Sequence, residues 1–599
     1  MKLSDYVMRF VAEQGVQHVF MLPGGGAMHL NDSLGRCAGV EFVSVQHEQA
    51  AALAAEAYAR VTNKLGVAMV TSGPGGTNSV TGVAAAWLDS TPVLFISGQV
   101  KRADIRSDQQ LRQLGVQEID IVSIVKPITK YAVTILDPQT IRFHLEQAVH
   151  LARSGRPGPV WIDIPLDVQA AQVDEESLKG FAPDEQDTSS KVANIRELVA
   201  RTIQMLNGST RPVILVGNGV RLAGGENLFR EAVDALEVPV LTTRLGVDLL
   251  PASHPLCFGM PGGIAARSAN FTLQNSDLLL AIGSRLDMQM MAYAPERFAR
   301  AARKVMVNID AADIRKLGKL IELGVQADAK LFLSELLSLR SELKPPDRTF
   351  WLERCRNWQA RYPFVQAEQR LQRSGISMYA FSELLADLLS EGDVVLPGSS
   401  GFAAEIFLTA FKCKLGQRVF HNKGTGAMGL AQPAAIGACL GSGRKRTICV
   451  DGDGGFTMNI QELETIRRLH LPVKFFIVNN NGYASIRASQ GNYFKLLVGA
   501  DATSGLTLPD FMKVARAYGL PARRISSPET LAEELKIVLG EPGPAICEIV
   551  VLPDEPRIPR VASVIRPDGS MASRPLEDLY PFLDRQEFRE NMLIPIIED

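Results

Sequence analysis

Two stretches constrain this chain more than anything else in it: Val450-Asp451-Gly452-Asp453-Gly454-Gly455-Phe456, and Val473-Lys474-Phe475-Phe476-Ile477-Val478-Asn479-Asn480-Asn481-Gly482-Tyr483. Each runs from apolar, β-branched residues straight into small and oxygen-bearing ones. That is the pattern of buried parallel strands that deliver a site at their carboxyl ends. Between them, Gln461 to Leu469 alternates polar and apolar at helical spacing, and Pro472 closes the crossover just before the second strand. The unit reads strand, helix, strand.

Asp453 and Asn480 put two hard oxygen donors at the ends of neighbouring strands, and the carbonyl of Gly482 offers a third. Completed by phosphate oxygens and water, such a set suits octahedral magnesium. Gly452, Gly454 and Gly455 let backbone N–H groups come close to a diphosphate. A lone Gly-Asp-Gly is equally an ordinary turn after a strand. Followed at this spacing by Asn-Asn, it resembles the thiamin diphosphate motif, which assigns thiamin diphosphate and Mg2+ to this end of the chain, with Tyr483 beside them.

With 599 residues the chain has room for three or four domains. Its 63 basic and 65 acidic residues nearly cancel, which argues against a nucleic-acid or polyanion binder. Seven scattered cysteines without Cys-x-x-Cys spacing suggest reduced thiols of a cytoplasmic protein. No apolar run approaches the ~20 residues of a membrane span.

Residues 1–170 alternate short strands (Val19-Leu22, Phe42-Val45, Val67-Val70, Val93-Ser97, Val160-Ile164) with helix-length segments, as in a parallel α/β domain. The first strand enters Pro23-Gly24-Gly25-Gly26; the second ends at Gln46-His47-Glu48-Gln49 and opens an Ala-rich helix. A carboxylate there also merely offsets a helix dipole. Together with Thr71-Ser72-Gly73-Pro74-Gly75-Gly76-Thr77-Asn78 and Gly155-Arg156-Pro157-Gly158-Pro159-Val160, however, the order resembles the acetohydroxyacid (acetolactate) synthase branch of the thiamin diphosphate enzymes, from about residue 1 to 552.

The resemblance implies three doubly wound α/β domains with parallel sheets: a pyrimidine-binding domain over 1–170, a central domain over 195–340 and a diphosphate-binding domain over 375–552. Linkers over 171–194 and 341–374 separate them, and 553–599 forms a tail or lid. It makes Glu48 the cofactor activator, hydrogen-bonded to N1′ of the aminopyrimidine. It gives Gly426 a carbonyl that accepts from the 4′-amino group, makes Met428 the wedge under the bent cofactor, and brings Gly25 and Gln117 to the reacting end. Ser399, Ser400, Gly401 and Phe402 follow a short strand at Val394-Val395 as a second phosphate loop. Because the activator and the metal loop lie in different domains that meet across two subunits in the family, a homodimer or homotetramer is expected.

The central domain's expected strands, Pro212-Val216, Pro239-Leu241, Leu278-Ile282 and Val305-Ile309, end in small or polar residues. Gly217-x-Gly219 alone is as much a turn as a nucleotide contact. In the family this domain holds flavin adenine dinucleotide (FAD), which implicates Gly217, Gly283, Arg285, Asp287 and Asp310. The chain departs from the family at Leu286-Asp287-Met288-Gln289, in place of Phe-Asp-Asp-Arg, and at Gly259-Met260-Pro261-Gly262-Gly263-Ile264.

The implied reaction is decarboxylation of a 2-oxo acid, with pyruvate the first choice, and transfer of the two-carbon unit to a second carbonyl compound. No His-His pair follows Val100, and Gly25 stands where aldehyde-releasing decarboxylases carry an acid, so carboligation is favoured. Val116 (in Val116-Gln117-Glu118, where the family has Phe-Gln-Glu), Ala488-Ser489 and Gln289 replace larger or charged family residues in the acceptor site. Acetolactate formation therefore stands beside transfer to a larger ketone, such as a nucleotide-linked keto sugar, and beside lyase or hydrolase action on a diketone. A non-catalytic scaffold is disfavoured by intact Glu48, Asp453 and Asn480.

Overall fold

The structure, a computed structural model, describes residues 1–108, 110–183, 194–398, 401–565 and 571–597. It contains three parallel sheets in chain order. The first has β1 (His18–Met21), β2 (Glu41–Ser44), β3 (Gly66–Val70), β4 (Val93–Gln99), β5 (Tyr131–Thr134) and β6 (Val160–Pro165), ordered β2-β1-β3-β4-β6-β5. The second has β7 (Pro212–Val216), β8 (Val240–Thr242), β9 (Leu278–Ile282), β10 (Arg303–Asn308) and β11 (Leu323–Gln326), ordered β11-β10-β9-β7-β8. The third has β12 (Val394–Pro397), β13 (Arg418–Val419), β14 (Thr447–Gly452), β15 (Val473–Asn479), β16 (Ala522–Ile525) and β17 (Ala545–Val550), ordered β13-β12-β14-β15-β17-β16. The outer two sheets therefore share one topology. In all three the order reverses beside the first strand of the sheet, and crevices for ligands open at such switch points.

The central strands are buried on both faces and are accordingly mostly apolar, as in β3, β4 and β14. Of the strands absent from the sequence reading, β5, β11, β13 and β16 are edges: β5 is half-buried along its length, β11 alternates buried and exposed, and β13 is two residues long; β17, also absent from it, is a buried strand between β15 and β16.

The outer domains meet through two helices of small residues. The helix Glu48–Thr62 buries a near-continuous alanine face against the helix Ala431–Gly441. A Cβ on Gly437 would stand 1.9 Å from the Ala54 carbonyl oxygen, so only glycine permits this approach. A buried ionic cluster locks the same seam. Arg60 pairs with Glu56 and, at 2.6 Å, with Asp89, and donates to the His421 carbonyl. Asp89 in turn accepts from the backbone N–H of Lys423.

Within the first sheet Asp163 on β6 accepts from Ser97 (2.5 Å), Gln99 (3.1 Å) and Thr134 (3.0 Å). Burial nevertheless pushes its carboxyl up to about 7. Between the ordinary carboxylate range and pH 7 the folded chain thus holds a proton that the unfolded chain has lost, and stability falls as pH rises through that window. The expected slope is up to about 1.4 kcal/mol per pH unit for one such group. Denaturant melts at pH 5 and pH 7.5 should show this slope reduced in Asp163→Asn.

The segment 341–374, expected as a linker, contains a 13-residue helix, Thr349–Arg361. Trp351, Cys355 and Trp358 lie along one stripe of it and are fully buried against the central domain. The tail packs on the central domain of its own chain. Asn270 donates to the Leu576 carbonyl, Gln274 to Glu577, and Trp358 to Asn591. It includes a two-stranded antiparallel ribbon, β18 (Ser563–Ile565) with β19 (Met571–Ser573).

Candidate active site

β14 and β15 pair in register from Thr447 opposite Val473 to Gly452 opposite Val478, which brings Asp453 and Asn480 side by side beyond the sheet edge. The Asp453 carboxylate accepts three backbone N–H groups: from Gly454 at 2.7 Å, Gly482 at 2.9 Å and Asn480 at 3.1 Å. These donors fix its position, yet burial still raises it to about 6. Asn480 is 5% exposed and its Oδ1 has no hydrogen-bond partner. A buried amide oxygen without a partner costs free energy unless a ligand or water satisfies it. Beside a carboxylate, that oxygen fits a hard cation; among the described residues no cluster of three or more His, Cys, Asp or Glu competes as a metal site.

The surrounding glycines are dictated by space. A Cβ on Gly454 would lie 2.1 Å from the Tyr483 ring, and Gly482 holds φ +116°, where its Cβ would meet the Ala500 carbonyl at 2.4 Å. Asp451 fills the gap between Gly398 and Gly455; its carboxyl, accepting from the Gly452 N–H, is raised by burial to about 7. Gly401 has φ +63° and Phe402 is core. Ser399 and Ser400, expected in the phosphate loop, lie outside the described residues.

Glu48 is the first residue of its helix, 7% exposed, and accepts from the Asn78 amide at 3.0 Å. Asn78 belongs to the helix that begins at Pro74, after β3, so this hydrogen bond joins the Glu48 corner to the loop that follows β3. The next residue, Gln49, accepts from the Asn459 amide at 2.9 Å, and that amide also donates to the Gly429 carbonyl at 2.7 Å. One asparagine therefore ties the start of the Glu48 helix to the turn of Gly426, at φ +60°, and half-buried Met428. Gln117, at φ +68° and exposed, sits against Gly73. Gly25 is exposed with open space where a side chain would stand.

In the central domain Gly217 and Gly283 meet at the β7/β9 switch point, where a Cβ on Gly217 would be 2.4 Å from the Gly283 carbonyl oxygen. Arg285 donates to the Leu88 carbonyl, Asp287 holds Lys423, and Asp310 caps the helix Ala311–Arg315 while pairing with Arg156 at 2.9 Å.

Two site residues escaped the sequence reading. Asn459 carried no signal, because its partner Gln49 is 410 residues away. Arg487 clamps the metal loop by donating to the carbonyls of Asn480 (2.9 Å), Asn481 (3.1 Å) and Pro553 (2.8 Å). Its position so near the Asn-Asn pair was the one available hint.

Comparison with known proteins identifies the three domains. Family models match the N-terminal TPP binding domain of thiamine pyrophosphate enzymes over residues 1–124, the central domain over 199–336 and the C-terminal TPP binding domain over 398–549. The acetolactate synthase large subunit of Lactococcus lactis is 32% identical over 94% of this chain and 95% of its own length. That of Cyanidium caldarium is 33% identical over 91% and 92%, and the probable acetolactate synthase large subunit of Methanocaldococcus jannaschii is 33% identical over 95% of each.

Proposed function

The chain belongs to the thiamine pyrophosphate enzymes, in their acetolactate synthase-like group, and on that premise we propose that it decarboxylates a 2-oxo acid, pyruvate first, and joins the two-carbon unit to a second carbonyl compound. The observation that carries the proposal is the Asp453–Asn480 pair, with one amide oxygen left for a cation between the ends of β14 and β15.

Asp453, the Asn480 side chain and the Gly482 carbonyl would hold Mg2+. Gly452, Gly454, Gly455 and the Gly401–Phe402 loop would cradle the diphosphate. When bound, thiamin diphosphate supplies the nucleophilic carbon and the electron sink. Glu48 would exchange a proton with the cofactor's ring nitrogen, held for that task by Asn78. The Gly426 carbonyl and Met428 would fix the ring's orientation, and within the chain Asn459 holds their turn against the start of the Glu48 helix. Gly25 brings no proton donor to the reacting end, so a carbon electrophile is favoured over protonation to an aldehyde.

In the central domain we place FAD at the β7/β9 crevice, supported by the buried, unpartnered Asn218 Oδ1 between Gly217 and Gly219. A visible spectrum of the purified protein tests it. A homodimer is part of the proposal: Tyr493, Phe494, Leu496 and Val498 just beyond the metal loop, and Leu114 and Val116 beside Gln117, are exposed apolar residues that a second copy would cover. A cytoplasmic location suits seven free cysteines, six of them buried.

Pyruvate turnover with thiamin diphosphate and magnesium tests the reaction. CO2 release matched by acetolactate supports the synthase, and release that becomes rapid only on adding a larger ketone supports acyl transfer to that ketone. No reaction with pyruvate refutes both.

A further inference from the structure

Glu462 is fully buried, yet it reaches out of its own domain. It ends the short helix Thr457–Glu462, on the crossover that starts at Asp453 and leads from β14 to β15. Its carboxylate accepts from the backbone N–H of Gln46 at 2.9 Å and from the Thr465 hydroxyl at 2.8 Å, and the N–H of His47 is drawn to it as well. Gln46 and His47 are the two residues that lead from β2 into Glu48. Arg468, on the same crossover, donates to the Ser44 carbonyl at 2.6 Å. With the Asn459 amide on Gln49, one crossover of the diphosphate-binding domain thus grips the chain at Ser44, Gln46 and Gln49, on both sides of Glu48.

A carboxylate is a costly group to bury there. Among the described residues no cation ion-pairs with it, and Arg468 acts on it only through longer-range attraction. What an ionised carboxylate offers is acceptor capacity with no proton of its own: two oxygens that take donors from several directions. Once protonated it must itself donate, and one of the Gln46, His47 and Thr465 donors is left short. Burial raises Glu462 to about 7, which brings this change into the working range of pH.

We propose that Glu462 is a positioning residue for the activator: its carboxylate fixes the backbone of Gln46 and His47, and through them the direction in which the Glu48 carboxyl leaves its helix. The inference rests on the reading of Glu48 as activator. A misplacement of about 1 Å at reacting groups can cost on the order of 100-fold in rate. The neutral acid is easier to bury but holds the corner less tightly, so turnover should decline as the pH drops through about 7. Arg468 keeps its charge throughout; His47, whose ring nitrogen accepts from the Gln49 N–H, and Glu48 are the other titratable groups of the corner.

Amide hydrogen exchange at pH 8, on the enzyme reconstituted with thiamin diphosphate and magnesium, reads the corner directly. Glu462→Gln should speed exchange at Gln46 and His47 by roughly 10-fold, the worth of one ordinary hydrogen bond, and leave the helix Ala431–Gly441 unchanged. At the same pH its kcat for pyruvate should fall roughly 10- to 100-fold with KM little changed. The acid limb of kcat near pH 7 should be present in the parent and gone in Glu462→Gln. Thr465→Val keeps the size of the side chain and the Gln46 contact but removes one donor to the charged form, so it should move the limb to higher pH; it also serves if Glu462→Gln fails to fold. Equal exchange at Gln46 and His47 in the parent and Glu462→Gln would overturn the proposal. So would a limb that persists in Glu462→Gln or stays in place in Thr465→Val, since it would belong to His47 or Glu48. The exchange measurement needs no turnover, so a chain inactive on pyruvate refutes the proposed reaction and still decides whether Glu462 holds the corner.

Discussion

Glu48→Gln is expected to reduce turnover of pyruvate by roughly 10²- to 10⁴-fold, the usual worth of a positioned acid–base group. The substitution keeps size and one acceptor oxygen, so the Asn78 contact at 3.0 Å survives. The helix start survives too, because its cap is the His47 ring nitrogen accepting from the Gln49 N–H, not the Glu48 carboxylate. What disappears is the group that takes up and returns a proton. Thermal stability and cofactor affinity should therefore change little while turnover collapses. Parallel loss of folding or of cofactor binding would show that Glu48 is a structural carboxylate and that its assignment as activator is wrong.

Asp453→Asn should fail in the opposite way. The carboxylate meets three backbone N–H groups and stands beside the unpartnered Asn480 oxygen. An amide offers one acceptor oxygen in place of two and turns an N–H2 towards donors that are already hydrogen-bonding. The expected loss is roughly 10²-fold or more in magnesium-dependent binding of thiamin diphosphate, with about 1–3 kcal/mol of stability lost as well. Titrating the cofactor at fixed magnesium, and magnesium at fixed cofactor, reads both affinities. Equal cofactor affinity in Asp453→Asn and the parent would remove the metal site from this loop. The two variants separate a binding residue from an activating one, which neither does alone.

How much of this was legible beforehand depended on the physical origin of each feature. β14 and β15 were plain because strands buried on both faces must be apolar along their length, and because their ends carry chemistry in a short, fixed spacing. Edge strands give no such signal. Tyr131–Thr134 is only half-buried, and Leu323–Gln326 includes an exposed glycine. The helix Thr349–Arg361 hid behind Pro345-Pro346 and its own arginines, although Trp351, Cys355 and Trp358 recur at helical spacing. The tail was unreadable for another reason. It is held by scattered polar contacts, among them those from Asn270, Gln274 and Asn275, and by isolated buried residues such as Leu576 and Phe588, which leave no periodic trace in either partner.

The candidate site divides the same way. Asp453, Asn480 and Gly482 are local in sequence and could be found by spacing. The bridge from Gln49 through Asn459 to Gly429 joins positions that are remote until the chain folds.

The most direct measurement of the central claim is the carbon balance of pyruvate turnover, counting CO2, free acetaldehyde and ligated two-carbon product together in the presence of the acceptor. Carboligation predicts one ligated two-carbon unit for each CO2 and almost no acetaldehyde, with the whole reaction dependent on thiamin diphosphate, magnesium and Glu48. Acetaldehyde equal to CO2 would contradict it, since the chain would then be protonating the intermediate that its open, acid-free Gly25 corner is held to spare.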